Sequence, residues 1–165
     1  MLPFNAPVND ILNSLHIAIE GHSIRDWDTD LIREIVTHFA TFAQGVLAPI
    51  NAIGDAQGVT LHNGRVTMPD GFKNAYDAYT QDGWPSLTIP EDFGGQGMSG
   101  FALSAISEIF SGANHSLQMV TGLVPGAART LLEYGSDAQK ELWLPRLASG
   151  EYLSTMCLTE PAAGS

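Results

Sequence analysis

The chain has very few basic residues. Only seven of its 165 residues are Lys or Arg, against 18 Asp or Glu, which leaves a formal net charge of −11 at pH 7. Nucleic-acid backbones and anionic membrane surfaces are bound by clustered cations, and no such cluster occurs here. We therefore expect neither a nucleic acid nor a membrane as a partner.

Cysteine is nearly absent as well. Cys157 is the one cysteine, so it cannot form an internal disulfide and nothing favours an oxidising compartment. The five histidines show no paired ligand spacing, and we expect no metal site. The sequence also lacks a run of 18 apolar residues and a secretory signal at its N-terminus. These absences favour a cytoplasmic protein that does not span a membrane.

Helical periodicity is what the sequence has most of. Apolar residues recur at intervals of three and four, which predicts amphipathic helices. The predicted helices cover residues 10–20; 31–47, ending before Pro49; 72–83; 102–110; a stretch opened by Asn114 or His115 that bends or restarts at Pro125 and reaches Gly135; and 137–150, opened by a capping box of Ser136 and Gln139 and kinked or ended at Pro145.

Three segments interrupt this pattern. Residues 59–67 flank Asn63-Gly64, a pair that suits the positive φ angles of a tight turn, and predict a small β-hairpin. Residues 84–97 contain two prolines and three glycines, which predicts an ordered loop or a linker. Residues 151–159 alternate with a period of two and predict a strand of about nine residues. A lone strand is not stable, so we expect its sheet to lie beyond Ser165.

The chain ends in small residues, Met156-Cys-Leu-Thr-Glu-Pro-Ala-Ala-Gly-Ser165. A turn of this kind can present backbone N–H groups and hydroxyls to a phosphate or to the polar edge of a ring, because no bulky side chain blocks the approach. Taken alone, the pattern is better explained as a strand followed by a Pro-Gly turn.

These ten residues nevertheless resemble the first flavin-binding signature of the acyl-CoA dehydrogenase family, without the Asp that usually follows it. Residues Pro90-Glu-Asp-Phe-Gly-Gly-Gln-Gly97 resemble the loop between early helices of that family, and residues 135–140 with 144–151 resemble its run into the middle domain. The resemblance covers most of the chain from about Phe72 onward. The longer front, residues 1–71, resembles the larger subgroup that includes methylmercaptopropionyl-CoA dehydrogenase.

The resemblance implies a mainly α fold: the helical N-terminal domain of the family, with a small hairpin and the first strand of the middle β-barrel domain. It implies an extension and first helices with the hairpin in residues 1–71, the remainder of the helical domain in 72–150, and the start of the barrel in 151–165. In the family, FAD lies between the barrel and a C-terminal helical bundle.

Carried over position by position, the resemblance implies that Met156, Leu158 and Thr159 lie along the flavin ring. Gly164 and Ser165 would lie near the pyrophosphate and the thioester. A thioether at Met156 replaces the usual aromatic residue and can still pack on a ring. Ser165, Gln118 and Gly122 are the candidates for contact with the substrate, although ordinary packing explains Gln118 and Gly122 better.

The implied reaction is the α,β-dehydrogenation of an acyl-CoA thioester. A glutamate removes the α-proton while the β-hydride passes to flavin N5. That base belongs to the C-terminal bundle of the family, so no catalytic residue is assigned here, and the chain alone is expected to be inactive. The glutamates at 108, 133, 141, 151 and 160 are interpreted as solvated or turn residues. The implied partners are the acyl-CoA substrate, an electron-transfer flavoprotein as electron acceptor, and further copies of the full-length enzyme.

Two alternatives remain open. A non-catalytic helical interaction module would end near Ser165, whereas the reading frame of an enzyme would continue for several hundred residues. An acyl-CoA oxidase shares the fold and differs in how oxygen reaches the reduced flavin. For the chain alone we expect weak or no FAD binding, and self-association through the unpaired final strand.

Overall fold

A computed structural model of the chain describes residues 3–20 and 28–162. Within these residues the polypeptide forms seven α-helices and one antiparallel hairpin, which confirms the mainly helical fold. The helices are α1 (Val8–Ile19), α2 (Thr29–Phe42), α3 (Ala48–Gln57), α4 (Phe72–Gln81), α5 (Gly100–Thr121), α6 (Val124–Tyr134) and α7 (Asp137–Ala148). The hairpin strands are β1 (Thr60–His62) and β2 (Arg65–Thr67), joined at the predicted Asn63-Gly64 turn.

The second helix does not end before Pro49, contrary to the prediction. A π-helical turn, Ala43–Leu47, carries α2 directly into α3. Pro49 then lies in the first turn of α3, where its missing N–H is not needed for an intrahelical hydrogen bond. A proline that resembles a helix end in the sequence therefore marks a helix start in the structure.

Asn114 divides α5 into two halves. Its backbone leaves the helical region, with φ −157° and ψ 88°. The side-chain oxygen accepts from the N–H of Leu117 at 3.0 Å, and the side-chain nitrogen donates to the carbonyl of Leu47 at 3.1 Å. The prediction that Asn114 opens a helix is confirmed as a kink and cap inside one helix, and Pro125 starts α6 as expected.

Two apolar cores hold the helices together. The larger core lies between α1, α2, α4 and α5, and both residues 1–71 and residues 72–150 contribute to it. At its centre the ring of Phe39 lies 4.7 Å from that of Trp84 and 5.6 Å from that of Phe110, measured between centroids. The smaller core joins α6 and α7 to a loop residue, Ile89.

The segment 84–98 is an ordered loop, as predicted, and it contains two short 3₁₀ turns, Trp84–Ser86 and Glu91–Phe93. The loop closes on itself through backbone hydrogen bonds, including those from Gly97 to Ile89 and from Met98 to Leu87. The backbone of Gly95 passes so close to Ile89 that an added Cβ would lie 1.8 Å from the Ile89 carbonyl oxygen. This close approach holds Ile89 in the smaller core.

The predicted strand at residues 151–159 is not formed. In the described part of the chain the sheet consists of β1 and β2 alone, and residues 152–159 have no regular secondary structure. A strand exists only where a neighbour supplies its ladder hydrogen bonds, and no such neighbour is present among these residues. The segment instead leaves the helical body with most of its side chains exposed.

Candidate functional site

The candidate site is the place where the terminal segment leaves the helical body. Helix α7 begins with the predicted capping box of Ser136 and Gln139 and continues past Pro145 to Ala148. The chain then turns at Gly150, whose φ is +74°. A Cβ added there would lie 2.3 Å from Cγ2 of Thr80, so both the backbone angle and the close approach to α4 require glycine.

Tyr76 of α4 fixes this turn through a hydrogen bond. Its hydroxyl donates a hydrogen bond to the carbonyl of Gly150 at 2.6 Å. Burial, with a smaller contribution from the neighbouring carboxylate of Asp77, raises the pKa of the Tyr76 phenol. The hydroxyl therefore remains protonated at neutral pH and able to donate this bond.

Arg146 of α7 holds the next part of the segment. Its guanidinium donates to the hydroxyl of Tyr152 at 2.6 Å, and its carbon lies 5.1 Å from the centre of the Tyr152 ring. The carboxylate of Glu151 lies 3.6 Å from the same guanidinium, and the N–H of Tyr152 donates to the carbonyl of Arg146. These contacts fix the segment up to Tyr152.

A narrow cavity lies beside residues 150–153, where the terminal segment leaves the helical body. It is lined mainly by apolar groups, with the tyrosines of α4 on one side, Thr121 at the end of α5 and Leu153 of the terminal segment. Its volume of about 20 Å³ has room for one water molecule. Burial raises the pKa of the Tyr79 phenol in this wall, and the Thr121 hydroxyl opposes that effect.

The residues predicted to contact a flavin ring lie on the exposed part of the segment. Met156 and Leu158 are 63% and 64% exposed, and Thr159 is also exposed. The hydroxyl of Ser154, just before them, is buried without a hydrogen-bond partner. Exposed apolar side chains beside a hydroxyl in need of a partner fit a flat aromatic ligand with polar edges. Gly164 and Ser165 lie outside the described residues.

Gln118 and Gly122 lie one turn apart at the end of α5. The N–H of Gly122 donates to the carbonyl of Gln118 at 2.7 Å, and the Gln118 side chain folds over Gly122. Gln118 is half-buried and Gly122 exposed, and neither lines the cavity, whose wall is formed by Thr121 and Val124 instead. The contact between them is local to the last turn of α5.

The sequence patterns do not identify the residues that fix the start of the terminal segment. Tyr76 is half-buried, and its hydroxyl bonds to a carbonyl 74 residues away, a contact that helical spacing does not predict. The Arg146 and Tyr152 pair is six residues apart across the end of a helix, a spacing that no helical or strand pattern predicts. The Gly150 turn was the one available signal, because it ends a predicted helix.

The glutamates at 108, 133, 141, 151 and 160 are all exposed, in agreement with their interpretation as solvated residues. Among the described residues no three His, Cys, Asp or Glu side chains come together as metal ligands. No helix in residues 3–20 and 28–162 is long and apolar enough to cross a membrane.

Comparison with known proteins gives consistent matches. The family model for the acyl-CoA dehydrogenase N-terminal domain matches residues 29–151. The 3-methylmercaptopropionyl-CoA dehydrogenase of Ruegeria pomeroyi is 36% identical over 170 residues, which cover 99% of this chain and 29% of that protein. The (2S)-methylsuccinyl-CoA dehydrogenase of Cereibacter sphaeroides is 35% identical over 145 residues, covering 88% of this chain and 24% of the relative.

The fold also matches solved structures. A chain from the structure of the electron transferring flavoprotein of Acidaminococcus fermentans aligns with a TM-score of 0.65 at 20% identity, covering 86% of this chain and 34% of that one. At this identity the likeness shows the fold. The chain thus spans less than a third of the length of the two relatives described above.

Proposed function

The chain belongs to the acyl-CoA dehydrogenase family, and on that premise we propose that it forms the helical N-terminal part of an enzyme that dehydrogenates an acyl-CoA thioester. The observation that carries the proposal is the family match over residues 29–151, together with two acyl-CoA dehydrogenases that are 36% and 35% identical to this chain. The activity is proposed for a whole protein that contains this chain, because the chain covers only 29% and 24% of the length of these two relatives.

FAD is the proposed cofactor. When bound, FAD supplies the acceptor for the hydride that leaves the β-carbon of the thioester. Met156, Leu158 and Thr159 would pack along the ring, with Gly164 and Ser165 near the pyrophosphate. Two observations support this assignment: the exposed apolar side chains of the segment and the buried Ser154 hydroxyl without a partner.

The substrate is proposed to approach the end of α5. Gln118 and Gly122 would contribute to its binding, with Ser165 near the thioester. The base that removes the α-proton is proposed to be a glutamate outside this chain. The exposure of the five glutamates discussed above supports that assignment, because an α-proton must be removed in a site that excludes water.

The electron acceptor is proposed to be an electron-transfer flavoprotein, and the full-length enzyme a cytoplasmic homo-oligomer. An acyl-CoA oxidase is the second candidate, since it shares the fold. The two are separated by measuring hydrogen peroxide: an oxidase releases it in proportion to the enoyl-CoA formed under air, whereas a dehydrogenase forms the enoyl-CoA only with an added electron acceptor.

The proposal is tested on the full-length protein that contains this chain. We expect it to purify with bound flavin and to form enoyl-CoA from at least one thioester in a panel of straight, branched and sulfur-containing acyl-CoAs. A flavin-free full-length protein without turnover of any thioester would contradict the proposal and favour an interaction module.

Met156→Asp in that protein places a charge against the ring, so we expect its flavin content to fall by at least half. Met119→Asp is the matched control, because Met119 is an equally exposed methionine on α5. It should leave the flavin content unchanged. Equal flavin loss in both variants would argue against a ring contact at Met156.

The 165-residue chain alone is expected to bind FAD weakly or not at all. Its terminal segment is exposed, and the narrow cavity beside that segment, with a volume of about 20 Å³, is too small for a flavin ring. Equilibrium titration of free FAD against the chain, followed by flavin fluorescence, checks this. A preparation that is yellow and stoichiometrically loaded would overturn it.

A further inference from the structure

The start of the terminal segment, residues 150–153, borders a void on one side. Gly150, Tyr152 and Leu153 line the narrow cavity together with the two tyrosines of α4. Atoms that face a void lack packing partners in that direction, so close packing does not fix the segment on this side. Hydrogen bonds therefore have to supply the restraint that packing leaves out.

Two hydrogen bonds do so, and their donors lie on different helices. The Tyr76 hydroxyl of α4 donates to the Gly150 carbonyl at 2.6 Å, and the Arg146 guanidinium of α7 donates to the Tyr152 hydroxyl at 2.6 Å. The second donor carries a charge, which makes its bond the stronger of the two kinds. Restraints at two neighbouring residues limit rotation of the segment more than either one alone.

The residues proposed to contact the flavin follow a few positions later. Met156 and Leu158 are 63% and 64% exposed, so packing on the helical body does not hold their side chains. Met156 follows Tyr152 by four residues, which span at most about 14 Å in an extended chain. The placement of Met156 and Leu158 relative to the helices therefore depends on how residues 150–152 are held.

We propose that Tyr76 and Arg146 are positioning residues for the flavin, because they hold residues 150–152 so that the residues after them meet the ring in a preset arrangement. This inference rests on the function proposed above, and it assigns neither side chain a contact with flavin or substrate. A segment that is held before binding loses less conformational entropy on binding, so the two hydrogen bonds raise the affinity for FAD.

The affinity of the flavin-free, full-length protein for added FAD tests the role of Tyr76. Tyr76→Phe deletes the hydroxyl and keeps the ring, and we expect the Kd for FAD to rise by roughly threefold to tenfold, as for the loss of one hydrogen bond. Tyr79→Phe is the matched control. It makes the same change on the same helix and in the same cavity wall, next to the Thr121 hydroxyl and not to Gly150, so its Kd should equal that of the wild type.

The role of Arg146 is tested in the same titration. Arg146→Gln removes the charged donor to Tyr152, and we expect it to raise the Kd for FAD by roughly tenfold. Arg129→Gln, at an exposed arginine of α6, is its matched control and should bind FAD like the wild type. All titrations are followed by flavin fluorescence at a temperature well below the melting temperature of every variant, so that each protein is folded.

Hydrogen exchange separates positioning from a general loss of stability. The N–H of Tyr152 donates to the Arg146 carbonyl at 3.1 Å. In the flavin-free, full-length protein we expect the amides of residues 151–158 to exchange several-fold faster in Tyr76→Phe than in the wild type, measured by mass spectrometry. Tyr79→Phe should keep the wild-type exchange in these residues even if its melting temperature falls.

The outcomes distinguish this inference from the proposed function. A wild-type full-length protein that binds no FAD would overturn both. If the wild type binds FAD and Tyr76→Phe binds it equally tightly, the positioning role alone is wrong. An equal rise in Kd for Tyr76→Phe and Tyr79→Phe, or unchanged exchange of residues 151–158 in Tyr76→Phe, would also overturn it, because general destabilisation would then explain the weaker binding.

Discussion

At the residue scale, the buried amide of Asn114 bonds to two backbone groups that lie in different helical segments. One is the carbonyl of Leu47 at the end of the π-helical turn, and the other is the N–H of Leu117 at the start of the second half of α5. The side chain is fully buried, so neither group can turn to water instead. One amide thus joins α5 to the junction of α2 and α3.

Asn114→Ala is expected to lower the free energy of unfolding by about 2 kcal/mol, because it removes a cap from the second half of α5 and a buried hydrogen bond to the Leu47 carbonyl. Urea unfolding followed by circular dichroism measures the loss. Asn74→Ala, on the exposed side of α4, is the control and should change the stability by no more than about 0.5 kcal/mol. If both variants unfold at the same urea concentration, the amide does not stabilise the junction.

The sequence predicts only half of this arrangement. Asparagine favours helix starts, so Asn114 could be identified as the opening of a helix. Its other partner lies 67 residues earlier, and no local pattern connects the two. The same long-range contact accompanies the π-helical turn that lets the chain pass Pro49, which explains why a prediction from local rules ended the helix there.

At the element scale, the loop of residues 84–98 behaves as a rigid part of the core. Three of its backbone hydrogen bonds close the loop, and Gln96 adds side-chain bonds to the Gly83 carbonyl and the Ser86 hydroxyl. The close approach of Gly95 to Ile89 connects this loop to the smaller core. The loop therefore connects the smaller core, which contains α6 and α7, to the larger core.

Gly95→Ala is expected to destabilise the chain by at least about 2 kcal/mol, since its Cβ cannot be accommodated unless Ile89 moves out of the smaller core. Thermal unfolding monitored by tryptophan fluorescence checks this, because Trp84 lies in the same loop. Gly100→Ala is the matched control: a Cβ there meets open space at the first position of α5, so the melting temperature should stay the same or rise slightly. A Gly95→Ala chain that melts with the wild type would show that the loop is free to shift.

Elements differ in how far local sequence determines them. The capping box of Ser136 and Gln139 and the turn at Asn63-Gly64 depend on neighbouring residues, and both predictions are confirmed. Residues 151–159 have the alternation of a strand, but a strand depends on hydrogen bonds from another strand, and none is available in the described part of the chain. The pattern was visible, and the missing partner decided the outcome.

At the scale of the whole molecule, two tyrosines of α4 make stability depend on pH at the alkaline end. Burial raises the pKa of Tyr79 above its ordinary value of about 10, and raises that of Tyr76 as well. Below about pH 10 both phenols are protonated in the folded and in the unfolded chain, so their contribution is constant. Above about pH 10 the unfolded chain loses these protons while the folded chain keeps them, and the free energy of unfolding falls.

Tyr79→Phe is therefore expected to weaken the loss of stability above about pH 10, by up to about 1.4 kcal/mol per pH unit relative to the wild type. Denaturant unfolding at several values from about pH 8 to about pH 11 measures this slope. Tyr134→Phe, at an exposed side chain of α6, should keep the slope of the wild type. Parallel slopes for the wild type and Tyr79→Phe would show that the Tyr79 phenol ionises equally in both states.

The hydrogen bonds to Gly150 and Tyr152 determine how the chain leaves the helical body. Tyr76 of α4 bonds to the Gly150 carbonyl and Arg146 of α7 bonds to the Tyr152 hydroxyl, so both helices restrain the backbone before Leu153. Polypeptide that follows Leu153 therefore leaves in a direction set by α4 and α7. The helical domain fixes the orientation of the next segment and is not joined to it by a flexible linker.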